Sequence, residues 1–418
     1  MRGLLLIVRR SLRQHALSTA ITLLSVALAA GLVMAVFCVN DQTYDAFTGG
    51  PVGFDAVVGA RGSQLQLVLN TVFHLETSPG NIPWEIYTNL QKDPRVTLAI
   101  PYAVGDNYRG FRIVGTSDEM FTKFEYQQGK KLAPRAGGRV FEARRREAVI
   151  GSTVALKTGL NVGSTFSPFH GVVYDENKKH EEEYVVVGVT DPTNSPSDRV
   201  VWIPIEGIFR MQGHVLRGSG REFQATTGEA IDDKHKEVSA VMLKFRNPQS
   251  GFQFNQTINQ QGKVATIAWP IGIVMAELFD KIGWVNKILG LVAYLVVAVA
   301  AGSILASIYN TMNERRREFA ILRALGARRR TVFSAIVLES TTIAALGSLL
   351  GFVVYGAIVL AAAIIVKQQT GVVLDPLKFH VAILAAPAGM IVLGAIAGIV
   401  PAFKAYSTDV AANLVATS

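Results

Sequence analysis

From Ala16 to Val39 the chain runs for 24 residues without a charge, interrupted only by Ser18, Thr19, Thr22 and Ser25. The hydrocarbon core of a bilayer is about 30 Å thick and takes roughly 20 apolar residues as a helix, so this run predicts a transmembrane helix. The hydroxyls are no obstacle, because a helix can satisfy them on its own backbone carbonyls. The run exceeds the apolar region of a secretory signal peptide, and no small-x-small cleavage pattern precedes a polar start. Three further stretches qualify, from about Val285 to Ile308, Val332 to Val366 and Val381 to Phe403. The third is longer than a bilayer needs and must tilt, bend or begin in the interface. Gly347, Gly351 and Gly356 on it would allow close packing against a neighbouring helix.

The expected fold is a membrane protein with four transmembrane α-helices and a large α+β extracytoplasmic domain inserted between helices 1 and 2. In order, residues 1–15 form an interfacial amphipathic helix, 16–39 helix 1, 40–284 the outer domain and 285–310 helix 2. Residues 311–331 form a cytoplasmic loop, 332–366 helix 3, 367–380 a short outer loop, 381–403 helix 4 and 404–418 a cytoplasmic tail. A mean hydropathy of +0.30 with only 17% charged residues agrees with this division.

The net charge of +9 suggests nucleic acid until it is divided along the chain. Residues 40–284 hold 26 Lys+Arg against 27 Asp+Glu. The excess sits mostly in Arg2, Arg9, Arg10 and Arg13 and in residues 311–331, where seven arginines face two glutamates. Both clusters flank apolar segments, as the positive-inside rule expects of cytoplasmic loops. The basicity is therefore topology, and no nucleic-acid partner is expected. The single cysteine, Cys38, excludes an intrachain disulfide framework and reads as an apolar filler in helix 1.

The outer domain carries short β-rich runs at Phe111 to Val114, Ala148 to Ile150, Tyr184 to Val189 and Val200 to Ile203, punctuated by Gly, Pro, Asn and Asp. Ser63 to Leu75 reads as a helix, with Leu65, Leu69 and Val72 at helical spacing and Ser63 as its cap. Lys178 to Glu183 and Asp232 to Glu237 read as solvated loops. His74, His170, His180, His214 and His235 all lie here, but their spacing matches no ligand motif, so scattered surface histidines are expected and no metal site is assigned.

The most informative stretch is Asn313 to Gly326, NERRREFAILRALG, followed by Ala327 and the triplet Arg328 to Arg330. Phe319 with Leu322, and Ile321 with Leu325, stand at i+3 and i+4 spacings while arginines take other faces, so the segment predicts a short amphipathic helix. Gly326 is placed to end it, and a second helix can start near Thr331. Taken by composition alone, this is a positive-inside loop with snorkelling arginines.

The order of residues is more specific. It resembles the "ERxREIGxLRAxGA" signature of the MacB/FtsX-like permease family, the membrane subunits of type VII ABC transporters. Glu314, Arg315, Arg317, Glu318, Leu322, Arg323, Ala324, Gly326 and Ala327 fall on that pattern, while Phe319 and Ala320 stand where the family usually has Ile and Gly. Glu339 resembles a family glutamate, and Pro401-Ala402 with Asp409 to Leu414 resembles the family's C-terminal ending, without its proline. In the outer domain Arg146 to Phe166 and Tyr184 to Ile205 resemble family segments.

The resemblance implies a non-catalytic permease of a bacterial inner membrane with a periplasmic domain, working as a homodimer or with a related permease. Two copies of a separate ABC ATPase would bind ATP and Mg, leaving no cofactor in this chain. It further implies that Glu314, Arg317, Glu318, Phe319, Leu322, Arg323, Leu325, Gly326 and Ala327 form the ATPase-docking helix. Within it, Glu318 and Arg323 would make charge-assisted contacts, and Phe319, Leu322 and Leu325 would fill a groove. Family members expel antibiotics or peptides, extract lipoproteins, or control cell-wall hydrolases, so a lipoprotein, adaptor or hydrolase is the expected outer partner. The residues themselves agree that energy comes from elsewhere, since no G-x-x-x-x-G-K-[ST] loop, H-E-x-x-H or G-x-S-x-G occurs. Glu339, an ionisable group inside a span, is either functional or reaches the cytoplasmic interface to pair with arginine.

Overall fold

The computed structural model describes residues 2–49, 53–211 and 231–407. His214 and the segment Asp409 to Leu414 lie outside the described residues. The chain divides into two compact units, one of Met1–Thr43, Ile282–Ile364 and Leu374–Ser418, the other of Tyr44–Lys281 and Ile365–Val373.

The main helices are α1 (Arg2–Gln14), α2 (Ala16–Thr48), α3 (Ile271–Glu314), α4 (Arg316–Ala324), α5 (Arg329–Thr370) and α6 (Ala382–Ser407). Among the described residues α2, α3, α5 and α6 are long and apolar enough to cross a membrane. All four run beyond the apolar stretches that announce them, α6 to Ser407. α2 continues past Val39 to Thr48, α3 begins at Ile271 rather than Val285, and α5 starts at Arg329. With 44 residues, α3 is about 66 Å long at 1.5 Å per residue, roughly twice a bilayer core. Hydropathy marks where side chains meet lipid, whereas backbone hydrogen bonding carries the helix on past that boundary.

In the first unit α2 packs against α5 through small residues. A Cβ on Gly347 would stand 2.6 Å from Val26 Cβ, so that position requires a bare backbone, and one on Gly351 would stand 3.0 Å from Ala30 Cβ, a tight contact. Gly356 departs from the sequence expectation, because no atom approaches its side-chain position within 4 Å. Thr22 and Ser25 donate to the carbonyls of Ser18 and Ile21 at 2.9 and 3.0 Å, as their place in an apolar helix demands. Cys38 is fully buried, and its Sγ lies 3.3 Å from Tyr355 Oη and accepts from Gln42 Nε2 at 3.3 Å. It is therefore part of a small polar cluster rather than an apolar filler.

The second unit is built on a ten-stranded mixed sheet. Its strands are β1 (Ala56–Ala60), β2 (Val96–Tyr108), β3 (Phe111–Thr116), β4 (Glu147–Ile150), β5 (Thr165–Phe166), β6 (Phe169–His170), β7 (Tyr184–Val189), β8 (Val200–Pro204), β9 (Ala240–Phe245) and β10 (Ala265–Ala268). The order is β10-β1-β9-β2-β3-β8-β4-β7-β5, with β6 paired to β2. Only β8 with β3 and β7 with β4 run parallel. Alternate residues feed two cores: Ile113, Ile150, Val201 and Leu243 enter one, and Val114, Val149, Trp202 and Met242 the other. Strands covered on both faces read as unbroken β-branched runs, which is why the sequence announces β4, β7 and β8 so clearly. The second core also takes Phe47 from α2 and Ile271, Val274 and Met275 from α3. Ser63 caps the helix Gln64–Thr71 by accepting from Gln66 N.

Candidate functional site

The helix of the family-like motif is shorter than its residue pattern predicts. Asn313 and Glu314 complete α3, and Arg315 breaks the run with φ −99° and ψ 12° before α4 begins at Arg316. At the other end Gly326 takes φ +97°, where a side chain would be strained. Its N–H donates to Arg323 O and that of Ala327 to Leu322 O, both at 3.0 Å. This pair of bonds is a Schellman motif, which satisfies the last carbonyls and turns the chain sharply into α5.

Arg315 is the residue on which the region is organised, and it is only 7% exposed. Its Nε donates to Glu318 Oε2 at 3.0 Å, its Nη1 lies 3.6 Å from Glu339 Oε2, and its guanidinium stands 5.0 Å from the centre of the Phe319 ring. Glu339 Oε1 accepts from Ser11 Oγ of α1 at 2.5 Å, with both residues buried. His15 Nδ1 lies 3.1 Å from Glu314 Oε2. Of the two readings of Glu339, the geometry favours pairing with arginine. Ser11 and Arg315 carry no signal in the sequence that marks them as its partners, because one stands 328 positions away and the other is one arginine among seven.

The same geometry corrects the assignment of faces on α4. Phe319 is buried within the first unit's core, Ala320 is buried beside it and Leu322 is partly buried against that core, so Phe319 is not free to fill a partner's groove. Arg317, Glu318, Ile321 and Leu325 are exposed, Leu325 by 80%. Arg323 and Ala327 are half-buried, and Gly326 is exposed at the turn. Ile321, absent from the expected docking set, belongs on the outward face. The sequence pairs it with Leu325 at i+4, but the pattern alone does not say which apolar pair faces outward.

The outer domain holds a second concentration of chemistry. His170 Nδ1 and His180 Nε2 each lie 3.3 Å from Oδ1 of Asp106, and the three donor atoms are within 4.8 Å of one another. Asp106 and His180 are buried, His170 half-exposed. The hydrogen bond to Asp106 holds the His170 imidazole above the usual histidine range. Lys178 to Glu183 is therefore not simply a solvated loop, since His180 and Glu182 are both buried. His74 is no surface histidine either: burial, followed by the charges of Arg112 and Arg199, lowers its pKa to about 3. His235 remains in a short surface turn.

Residues 19–261 match the family of the MacB-like periplasmic core domain, and residues 290–410 match the FtsX-like permease C-terminal family. Among solved structures, the extracellular domain of the noncanonical ABC-type transporter YknZ from Gram-positive bacteria aligns at 14% identity with a TM-score of 0.28, over 50% of this chain and 97% of that one. The periplasmic region of MacB from Actinobacillus actinomycetemcomitans aligns at 11% identity with a TM-score of 0.33, over 55% of this chain and 94% of that one. The first family match alone spans more than half of the 418 residues. With both family regions present in order, the chain belongs to the MacB/FtsX-like permeases, the membrane components of type VII ABC transporters.

Proposed function

We propose that this permease transmits the ATP cycle of two separate ATPase subunits to its outer domain, as one half of a permease dimer in a bacterial inner membrane. The observation that carries the reading is the two-sided α4. Phe319 and Leu322 hold it to the bundle, with Arg315 beside them, while Arg317, Glu318, Ile321 and Leu325 stand outward as a mixed charged and apolar face of the kind that anchors an interface. A rigidly held docking helix passes on a push. α4 follows α3 across the single residue Arg315, and α3 is one unbroken helix back to Ile271 in the outer unit. ATPase closure would move α3 and, through Ser11 and Glu339, the base of α2.

The movement would serve export or extraction of a lipoprotein, peptide or amphiphile by mechanotransmission, with no channel through the bilayer. A cavity of about 200 Å³ lined by Phe73, Phe124, Tyr126 and Val372 opens in the outer unit, below the roughly 300–1,000 Å³ of sites that enclose a small molecule. The same small cavity favours a second reading, in which the movement signals to a cell-wall hydrolase without transport.

The test is co-purification of the full chain with its candidate ATPase in lipid, comparing wild type with Arg317→Glu, at an exposed position of α4. Reversing an exposed charge on α4 should release the ATPase and lower stimulated ATP hydrolysis while the permease elutes unchanged. Undiminished association would remove α4 as the docking element.

A further inference from the structure

Asp106 and His170 face each other across the antiparallel pair of β2 and β6, in register. Residues directly opposite on such a pair share a face of the sheet. His180 arrives from the next turn, held by its own N–H donating to Pro168 O at 2.9 Å and by a bridge between Phe169 and Lys179. Asn107 Nδ2 donates to Gly171 O at 2.9 Å, and Gly171 N to Gly105 O at 2.9 Å. The three side chains are thus positioned by backbone pairing on both sides and not by a free loop.

We propose that Asp106, His170 and His180 form a divalent metal site of the zinc class on the outer domain. Two imidazoles and one carboxylate are a donor set that suits zinc, with a fourth position left for water or an incoming ligand. In a tetrahedral site with metal–ligand bonds of about 2.0–2.1 Å, neighbouring donor atoms stand about 3.3 Å apart. Both nitrogen–oxygen separations are 3.3 Å. The same spacing lets Asp106 accept from the imidazoles when no metal is bound, so the three groups are held together in either state. Because His170 is half-exposed, the fourth position meets solvent, and a metal there would fasten the 169–180 segment to β2.

The test uses the tag-free full chain in detergent, stripped with chelator and titrated with zinc against a chromophoric competitor, with cobalt as a spectroscopic substitute. Wild type should take up one zinc per chain with a Kd below ~1 μM and give the strong visible bands of tetrahedral cobalt. His170→Asn, at a half-exposed position, and His180→Gln should each weaken binding by about 100-fold or more, since loss of a ligand exceeds the ~10–100-fold effect of a supporting group. His235→Gln should bind as wild type does. Folded wild type that takes up no zinc below ~1 mM, or His170→Asn that binds as tightly as wild type, would overturn the proposal.

Discussion

Arg315 Nη1 lies 3.6 Å from Glu339 Oε2 in a buried setting, and the other oxygen of that carboxylate accepts from Ser11 Oγ at 2.5 Å. One carboxylate therefore joins α1, α5 and the break between α3 and α4. Removing one partner of a buried pair leaves the other charge uncompensated, at a cost of about 3 kcal/mol or more. Arg315→Met should destabilise the chain by that amount in detergent unfolding. The double variant Arg315→Met/Glu339→Leu should recover most of it, and a double variant as unstable as the single one would show that the two residues are not coupled.

The two apolar faces of α4 should respond in opposite ways. Leu325→Asp changes an exposed side chain, so it should leave thermal stability within ~0.5 kcal/mol and abolish ATPase co-purification. Phe319→Ala empties a buried site and should cost about 3 kcal/mol. If Phe319→Ala left stability untouched while releasing the ATPase, the assignment of inward and outward faces would be reversed.

Gly347 tests the contact between α2 and α5. A side chain there would meet Val26 at 2.6 Å, and overpacking of this kind costs about 1–3 kcal/mol. Gly347→Leu should lower the thermal midpoint, whereas Gly356→Leu, at a position with open space, should not. Equal midpoints for the two variants would contradict the α2–α5 contact.

His74 predicts acid sensitivity in the outer domain. Its folded value of about 3 lies below the unfolded value of 6.5 because burial, Arg112 and Arg199 disfavour the imidazolium, opposed by a hydrogen bond that the imidazole donates to the Asn70 backbone. Between those values the unfolded chain binds the extra proton. The stabilisation is complete above pH 6.5 and is lost as pH falls towards 3, with a slope of up to about 1.4 kcal/mol per pH unit. Denaturation followed by tryptophan fluorescence, with Trp202 at 6.1 Å from the His74 ring, should show a shallower slope between pH 7 and 5 for His74→Gln. Identical slopes would remove His74 as the source.

Hydropathy alone sets the four spans, because the cost of placing charge in lipid is local and acts on every residue of a run. The β-branched runs at 184–189 and 200–204 and the Gly326 stop are legible for the same reason: they depend on near neighbours in sequence. Even so, the α4 pattern does not locate its first residue, since Arg315 breaks the helix while pairing with Glu318 and lying close to Glu339. Which face of α4 turns inward, which of the arginines is buried, and why His170 and His180 converge on Asp106 all depend on partners far along the chain. Ser11 meets Glu339, and β6 pairs with β2, only once the helices and strands are packed. Long-range register assigns those roles, and residue type and spacing carry no record of it.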